Sequence, residues 1–355
     1  APGHLLRAAG RYVRFSRDAE WLRRRASDIR GLAEAIESMR SRGEGAAEAD
    51  LLGERRRIEA GPAAAALRAR FAPAPLPRVN WGTMDGNGAL YVNFVSIAGL
   101  ESAVDLLCAA GDASGAEVAR RSLEDLAFHV SALMNAVGYD FGWDERGECA
   151  ALWPARFDRL DSGAASYFLA SPLPGRERPG SPWPYLEIDA AHNRLVAGNR
   201  DEGWRVARRF LEDANFRRWR VLDEGGGSDP GYWPALATSP PWWGGVASPH
   251  GWSLASLLLL LRDCLVHEDA GQIRLLAGIP PDWLAPGKSW RVRLPTEFGP
   301  LDLRVEADAA GVRVRAGDAC RPPRGFRVLL PEGFEAAELY SGSGPFALTS
   351  RRASR

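Results

Sequence analysis

Asp85, a carboxylate in a glycine-flanked loop, is the first residue of the chain placed for acid–base chemistry. It follows Trp81 and precedes Asn87 within segment 80–87, so it could stand beside an aromatic platform for a sugar ring. A general acid in that position would need burial against apolar neighbours to raise its pKa. The alternative is an aspartate that stabilises a turn or caps a helix through backbone hydrogen bonds.

A long loop between Val221 and His250 combines acidic, glycine and tryptophan residues. Structureless segments of that length in compact domains are usually functional or disordered, and the tryptophans favour order. Glu224, near the start of this loop, is a candidate catalytic carboxylate. The alternative is that it forms a solvated acidic turn, and the neighbouring Asp223 could take the catalytic role instead. Tryptophan offers a rigid apolar face for sugar stacking, although it also fills cores. The stacking candidates are Trp233, Trp242 and Trp243.

Three further polar residues flank predicted helices. Glu187 follows Pro184 at a helix start, where it could contact a substrate or complement the helix dipole. His192 lies on the same helix at a spacing that is wrong for a metal-binding pair, so it is a candidate substrate contact or a core histidine. His250 precedes the last long helix and either frames a pocket or stabilises the helix entry.

Charge and hydropathy exclude several classes of partner. Lys and Arg total 45, and Asp and Glu also total 45. This balance argues against a nucleic-acid partner, because nucleic-acid binders usually carry a basic excess. The strongest apolar run, Leu254–Leu261, is far shorter than the ~20 residues that cross a bilayer, so no membrane partner is predicted. The sequence leaves the oligomeric state open.

Cofactor and metal motifs are also absent from the sequence. It contains no Walker A segment, no GxGxxG after a strand, no GxSxG and no HExxH, so we expect no cofactor. The four cysteines form no CxxC pair, and no metal site is predicted. Cys108 and Cys264 lie in apolar helical runs and are predicted to be buried free thiols. The compartment stays open, with cytoplasm favoured over secretion for a soluble protein.

Helical hairpins recur along the first three quarters of the chain. The hydrophobic period predicts helices over His4–Ala72, with Asp18 capping one of them, and then over 90–110, 114–136, 184–197 and 201–214. Short breakers such as Gly111 and Gly198 separate neighbours, which favours stacked or toroidal pairs over a βαβ sheet. A helix over 252–266 ends this part.

Beyond Asp269 the hydrophobic period changes to two. Apolar residues alternate with arginine in 290–294, 301–305, 312–315 and 326–330, and Gly, Asp and Pro separate the runs. That pattern is typical of antiparallel strands with one wet face. The predicted domains are a helical domain over 1–270, a β-sandwich-like domain over 271–349 and a tail over 350–355.

Two groups of motifs carry a resemblance to a known family. They are Ser248-Pro249-His250-Gly251-Trp252 with His267-Glu268-Asp269, and later Pro295-Thr296-Glu297-Phe298-Gly299-Pro300. Their order is similar to the exit from the barrel of six-hairpin glycosidases into a C-terminal β-domain. The segment from Pro184 to Trp204 resembles a late helix pair of the same group.

The resemblance implies a mainly α fold, an (α/α)6-type toroid incomplete at its N-terminus, followed by a small antiparallel β-domain. It also implies glycoside hydrolysis by two carboxylates, one protonating the glycosidic oxygen and one activating water or attacking the sugar. Asp85 would be the acid and Glu224 the base, with an oligosaccharide or glycoconjugate as substrate. The alternative is a glycan-binding or scaffold protein that keeps the toroid without catalysis.

Overall fold

The computed structural model describes residues 2–46, 79, 89–136, 149–170, 184–222, 224, 249–336 and 338–353. Its chain divides into two compact units, Ala1–Ser171 and Pro172–Arg355. Among the described residues there are nine α-helices and two small sheets, so the chain is helical first and β-rich at its end. Closure of the helices into a toroid stays a prediction.

The first unit is helical over its described residues. Its helices α1 and α3 cross at glycines, since a Cβ added to Gly99 would lie 2.5 Å from the Cα atom of Gly3. Asp18 caps α2 as predicted, because its Oδ1 accepts from the Trp21 amide at 2.8 Å. The helices are α1 (Pro2–Ser16), α2 (Ala19–Ala46), α3 (Ala89–Ala109), α4 (Ala113–Ala136) and α5 (Ser162–Ala170).

Helix α3 is the apolar centre of this unit. The stretch Leu90–Ala109 is long and apolar enough to cross a membrane by length and composition, and 67% of it is buried within the protein. Helices α1, α2 and α4 all pack against it. That degree of burial is typical of a core helix.

One prediction for this helix is wrong. Cys108 is exposed and not buried, because it lies at an outward-facing position near the end of α3.

The second unit begins with four more helices. Gly198, at φ +114°, ends the first of them in a conformation that favours glycine, and its amide bonds to the Arg194 carbonyl. The first, second and fourth share an apolar core that includes Ile188, Val206 and Leu260. The helices are α6 (Pro184–Ala197), α7 (Arg200–Glu212), α8 (Ala214–Trp219) and α9 (Gly251–Leu265).

Two four-stranded sheets follow directly from α9 and share one core. Their orders are β1-β2-β6-β7 and β3-β4-β5-β8. The inward positions of both sheets, including Val266, Leu303 and Phe326, are fully buried together. The strands are β1 (Val266–Asp269), β2 (Gln272–Leu275), β3 (Ser289–Thr296), β4 (Gly299–Ala307), β5 (Gly311–Ala316), β6 (Phe326–Leu329), β7 (Glu338–Ser341) and β8 (Phe346–Arg351).

The strand periods are confirmed, with two differences of arrangement. The pairing of β2 with β6 is parallel, opposing Ile273 to Phe326, whereas all other pairs are antiparallel. Alternation fixes which face of a strand is buried but leaves its direction open. Residues assigned to a tail also belong to a strand, since Ser350 pairs with Val312 on β5. The strands and α6–α9 form one compact unit.

Candidate functional site

Three of the four candidates that the structure describes, Glu187, His192 and His250, lie on α6 or at the start of α9. Pro184 occupies the first position of α6, where its missing N–H costs no helix hydrogen bond. Nearly every residue of α6 is buried, including the polar Asp189 and His192. Buried polar groups need partners, and α9 supplies them.

Three rings form an aromatic cluster at the start of α9: Tyr185, His250 and Trp252. The Tyr185 ring centroid lies 4.3 Å from that of Trp252 and 5.4 Å from that of His250. Tyr185 is 3% exposed, whereas His250 and Trp252 are partly exposed. The Trp252 indole N–H donates to Asp189 Oδ2 at 3.0 Å, which fixes the ring orientation. The buried Tyr185 and Asp189 therefore fix the positions of two partly exposed rings, those of His250 and Trp252.

His250 caps α9. Its Nδ1 accepts from the Ser253 amide at 3.3 Å and lies 2.8 Å from the Ser253 hydroxyl. We therefore assign the imidazole proton to Nε2. Burial lowers the pKa of His250, and the negative charge of Glu224 opposes that shift. The neutral imidazole can act as a hydrogen-bond donor on the side away from the helix.

The two residues that flank segment 223–249 meet. The His250 amide donates to the Leu222 carbonyl at 2.8 Å, which joins the two ends of segment 223–249. Glu224 lies at the start of that segment and is partly buried. The aromatic cluster, Glu224 and both ends of the tryptophan-containing segment therefore come together.

A buried histidine–aspartate network, formed by His192, Asp263 and His267, lies between α6, α9 and β1. Asp263 Oδ2 is 2.9 Å from His192 Nε2 and 2.8 Å from His267 Nδ1. Burial by itself would raise the pKa of Asp263, but the two imidazoles together hold it well below its usual value. Asp263 thus remains a carboxylate in the core.

Arg262 extends the network towards the strands. Its guanidinium donates to Asp263 Oδ1 at 3.0 Å and to Glu268 Oε2 of β1 at 2.7 Å. It also donates to the Pro295 carbonyl of β3 at 3.2 Å. The last helix and both sheets are therefore connected by charge-assisted hydrogen bonds, the stronger kind.

His192, Asp263 and His267 could hold a metal ion by composition, since their donor atoms lie within 4.8 Å of one another. Two observations favour a hydrogen-bonded network instead. Asp263 already binds the Arg262 guanidinium, a cation that competes with a metal. A ligating histidine usually donates its second N–H to a partner, whereas His267 Nε2 has no hydrogen-bond partner among the described residues.

The described structure places four of the ten predicted site residues. His250 and Glu224 lie together at the loop ends. Glu187 binds Arg209 of α7, so its carboxylate connects two helices. His192 is 0% exposed, and it can support the site only from within the core. The other predicted residues lie outside the described residues: Trp81, Asp85, Asn87, Trp233, Trp242 and Trp243.

Sequence reasoning missed Tyr185, Asp189, Trp252, Asp263 and His267. Tyr185 and Asp189 are four residues apart on one helix, a spacing that places them on one face. That spacing was the available signal, because an aromatic and an acid on one helix face can share a partner. The partner of His192 had no local signal.

A separate open cavity of about 340 Å³ lies among α1, α2 and α3 in the first unit. Arg14 and Asp105 in its wall bind each other at 2.8 Å. None of the four described site residues, Glu187, His192, Glu224 and His250, lines it.

No protein-family model matches the chain, and no curated protein matches it. The similarity to six-hairpin glycosidases therefore rests on the motifs quoted above.

Proposed function

We propose that the chain is a glycoside hydrolase that acts on an oligosaccharide or glycoconjugate. The main support is the aromatic cluster beside Glu224, at the ends of a loop that contains three tryptophans. Partly exposed rings held from below suit the apolar face of a sugar. A carboxylate next to such rings suits acid–base chemistry at a glycosidic bond.

In this proposal each residue has a distinct role. Glu224 is the general base and Asp85 the general acid. Trp252 and the loop tryptophans contact the sugar ring, and the neutral His250 donates a hydrogen bond from Nε2 to a sugar hydroxyl. Tyr185 and Asp189 position these rings without touching the substrate. The chemistry requires no cofactor.

The test is release of reducing sugar from a panel of α- and β-linked oligosaccharides. We expect Glu224→Gln and Asp85→Asn each to lower turnover by at least a hundredfold, with an unchanged melting temperature. Glu212→Gln is the matched control, because Glu212 is an exposed carboxylate on α7 that pairs with Arg208. Its turnover should equal that of the unmodified protein.

Glycan binding without catalysis is the second candidate, since the aromatic cluster would serve it equally well. Binding would be followed by the tryptophan fluorescence of the intact protein and of Trp252→Leu. Saccharide binding that both carboxylate variants retain, with no turnover on any substrate, would overturn the hydrolase and favour this candidate.

A further inference from the structure

The outward side of the sheet β3-β4-β5-β8 carries an unusual density of arginine. Strand alternation turns the apolar side chains of these strands inward, where Leu303, Val305 and Val314 are fully buried. The outward positions hold six arginines against two acids, Asp302 and Glu306. We call the six the arginine face: Arg291, Arg293, Arg304, Arg313, Arg315 and Arg351.

Three of these arginines oppose one another directly. Arg304 is the cross-strand partner of Arg291 on one side and of Arg315 on the other. Like charges in direct cross-strand register destabilise a sheet. Neighbouring strands are about 4.8 Å apart, so the Cα atoms of the three arginines lie within roughly 10 Å. The direct cross-strand pairing of these three arginines therefore does not stabilise the sheet.

The acids on this side balance only part of the charge. Asp302 binds Arg291 at 2.6 Å and Arg293 at 3.3 Å, and it lies 3.8 Å from Arg304. The Arg291 hydrogen bond is the main reason that the pKa of Asp302 is lowered to about 2. Glu306 lies 3.5 Å from Arg315. Within the described residues, no carboxylate forms an ion pair with Arg313 or Arg351.

The chain as a whole has no net charge, with 45 basic and 45 acidic residues. A concentrated positive face is therefore a local feature, not a consequence of a basic protein. Arginine binds carboxylates and similar oxyanions through two parallel hydrogen bonds. A row of arginines can therefore bind successive anionic groups along a polymer. The matching ligand is an extended polyanion with regularly spaced charges.

The composition of the face argues against one class of polyanion. Single-stranded nucleic acids are bound through aromatic side chains on which bases stack. The outward positions of these four strands include no aromatic residue. We propose that the arginine face binds an acidic polysaccharide, one carrying uronic carboxylates or sulfate esters. The proposal is independent of hydrolysis at the aromatic cluster, from which it differs in both residues and chemistry.

The experiment measures binding of heparin, of polygalacturonate and of a mixed-sequence DNA duplex to the full chain by isothermal titration calorimetry at low and moderate salt. We expect the two polysaccharides to bind more tightly than the duplex, with affinity falling as salt rises. The variant Arg304→Gln/Arg313→Gln/Arg315→Gln should weaken polysaccharide binding at least tenfold. Its thermal melting should be unchanged or raised, because like-charge repulsion is relieved.

The matched control is Arg23→Gln/Arg24→Gln/Arg121→Gln, which removes the same charge from exposed positions on α2 and α4. It should bind within twofold of the unmodified protein. An equal loss in this control would show that net charge alone attracts the polymer, and unchanged binding by the face variant would also overturn the proposal. Tighter binding of the duplex, lost in the face variant, would replace the polysaccharide by a nucleic acid. Glu224→Gln should bind both polysaccharides normally, which separates this test from that of the hydrolase.

Discussion

The imidazole of His192 and the carboxylate of Asp263, which are 71 residues apart in the sequence, lie 2.9 Å apart between two helices. The side chains are 0% and 6% exposed, so water does not screen their interaction. His267 binds the same oxygen from β1. One carboxylate therefore connects α6, α9 and the first strand.

Replacing this carboxylate should destabilise the second unit. Asp263→Asn leaves two buried imidazoles and a guanidinium without their shared negative partner, and we expect the free energy of unfolding to fall by about 3 kcal/mol. Urea unfolding at neutral pH measures it. Asp318→Asn, at an exposed position between β5 and β6, is the control and should change stability by less than about 0.5 kcal/mol.

Acid should remove the contribution of Asp263. Its folded pKa is below the unfolded value of 3.8, so the stabilisation is fully present above that pH and is lost as pH falls further. The stability difference between the unmodified protein and Asp263→Asn should therefore narrow below about pH 4. A difference that stays constant down to pH 2 would contradict the assignment of the charge to Asp263.

Glu101 on α3 should give the opposite pH dependence. Burial raises its pKa from 4.5 to about 7, despite opposing attraction from Arg159. The folded state therefore keeps a proton that the unfolded state loses, and stability falls as pH rises from 4.5 to about 7.

The variant Glu101→Gln should remove this loss. We expect it to raise the free energy of unfolding at pH 8 by on the order of 2 kcal/mol and to change it little at pH 4. Chemical unfolding at both pH values is the measurement. Glu117→Gln, on the exposed side of α4, is the control. Equal stabilisation at both pH values would show that burial of the charge is not the cause.

His250 should titrate below an ordinary histidine, because burial lowers its pKa. The charge of Glu224 opposes that shift, so Glu224→Gln should lower the pKa further. NMR titration of the imidazole protons measures both values, with Glu202→Gln of α7 as the control. A His250 pKa that is unchanged in Glu224→Gln would place the carboxylate away from the imidazole.

Arg304 should lower the stability of the protein when no ligand is bound. It lies between two cross-strand arginines, and Arg304→Thr should raise the free energy of unfolding by about 0.5 kcal/mol at low salt. High salt should abolish the difference, because screening removes the repulsion at the surface. Thermal melting at two salt concentrations measures it. A destabilised variant would show that Arg304 is held by favourable contacts.

Local sequence signals predicted the longer helices and the strands β3, β4, β5 and β6. Gly198 and Asp18 set helix ends through backbone conformation and capping, which are properties of a few neighbouring residues. The alternation in β3, β4 and β5 gave both strand type and buried face. Pairings between distant segments were beyond such signals: the parallel pairing of β2 with β6 joins strands separated by three others.

The candidate site shows the same limit. His250 was predicted because it precedes a helix within recognisable motifs. Asp263, the partner of His192, could not be predicted, because spacing along one helix gives no information about a residue on another helix. Tyr185 and Trp252 meet only when α6 packs on α9. Periodicity identifies a buried face, but it does not identify what that face touches.

The hydrogen bond between Leu222 and His250 joins the two ends of segment 223–249. The entropic cost of closing a chain between two such ends grows only slowly with the number of residues between them. An insertion between Leu222 and His250 should therefore add little to that cost, about 0.6 kcal/mol for each doubling of the length of the segment.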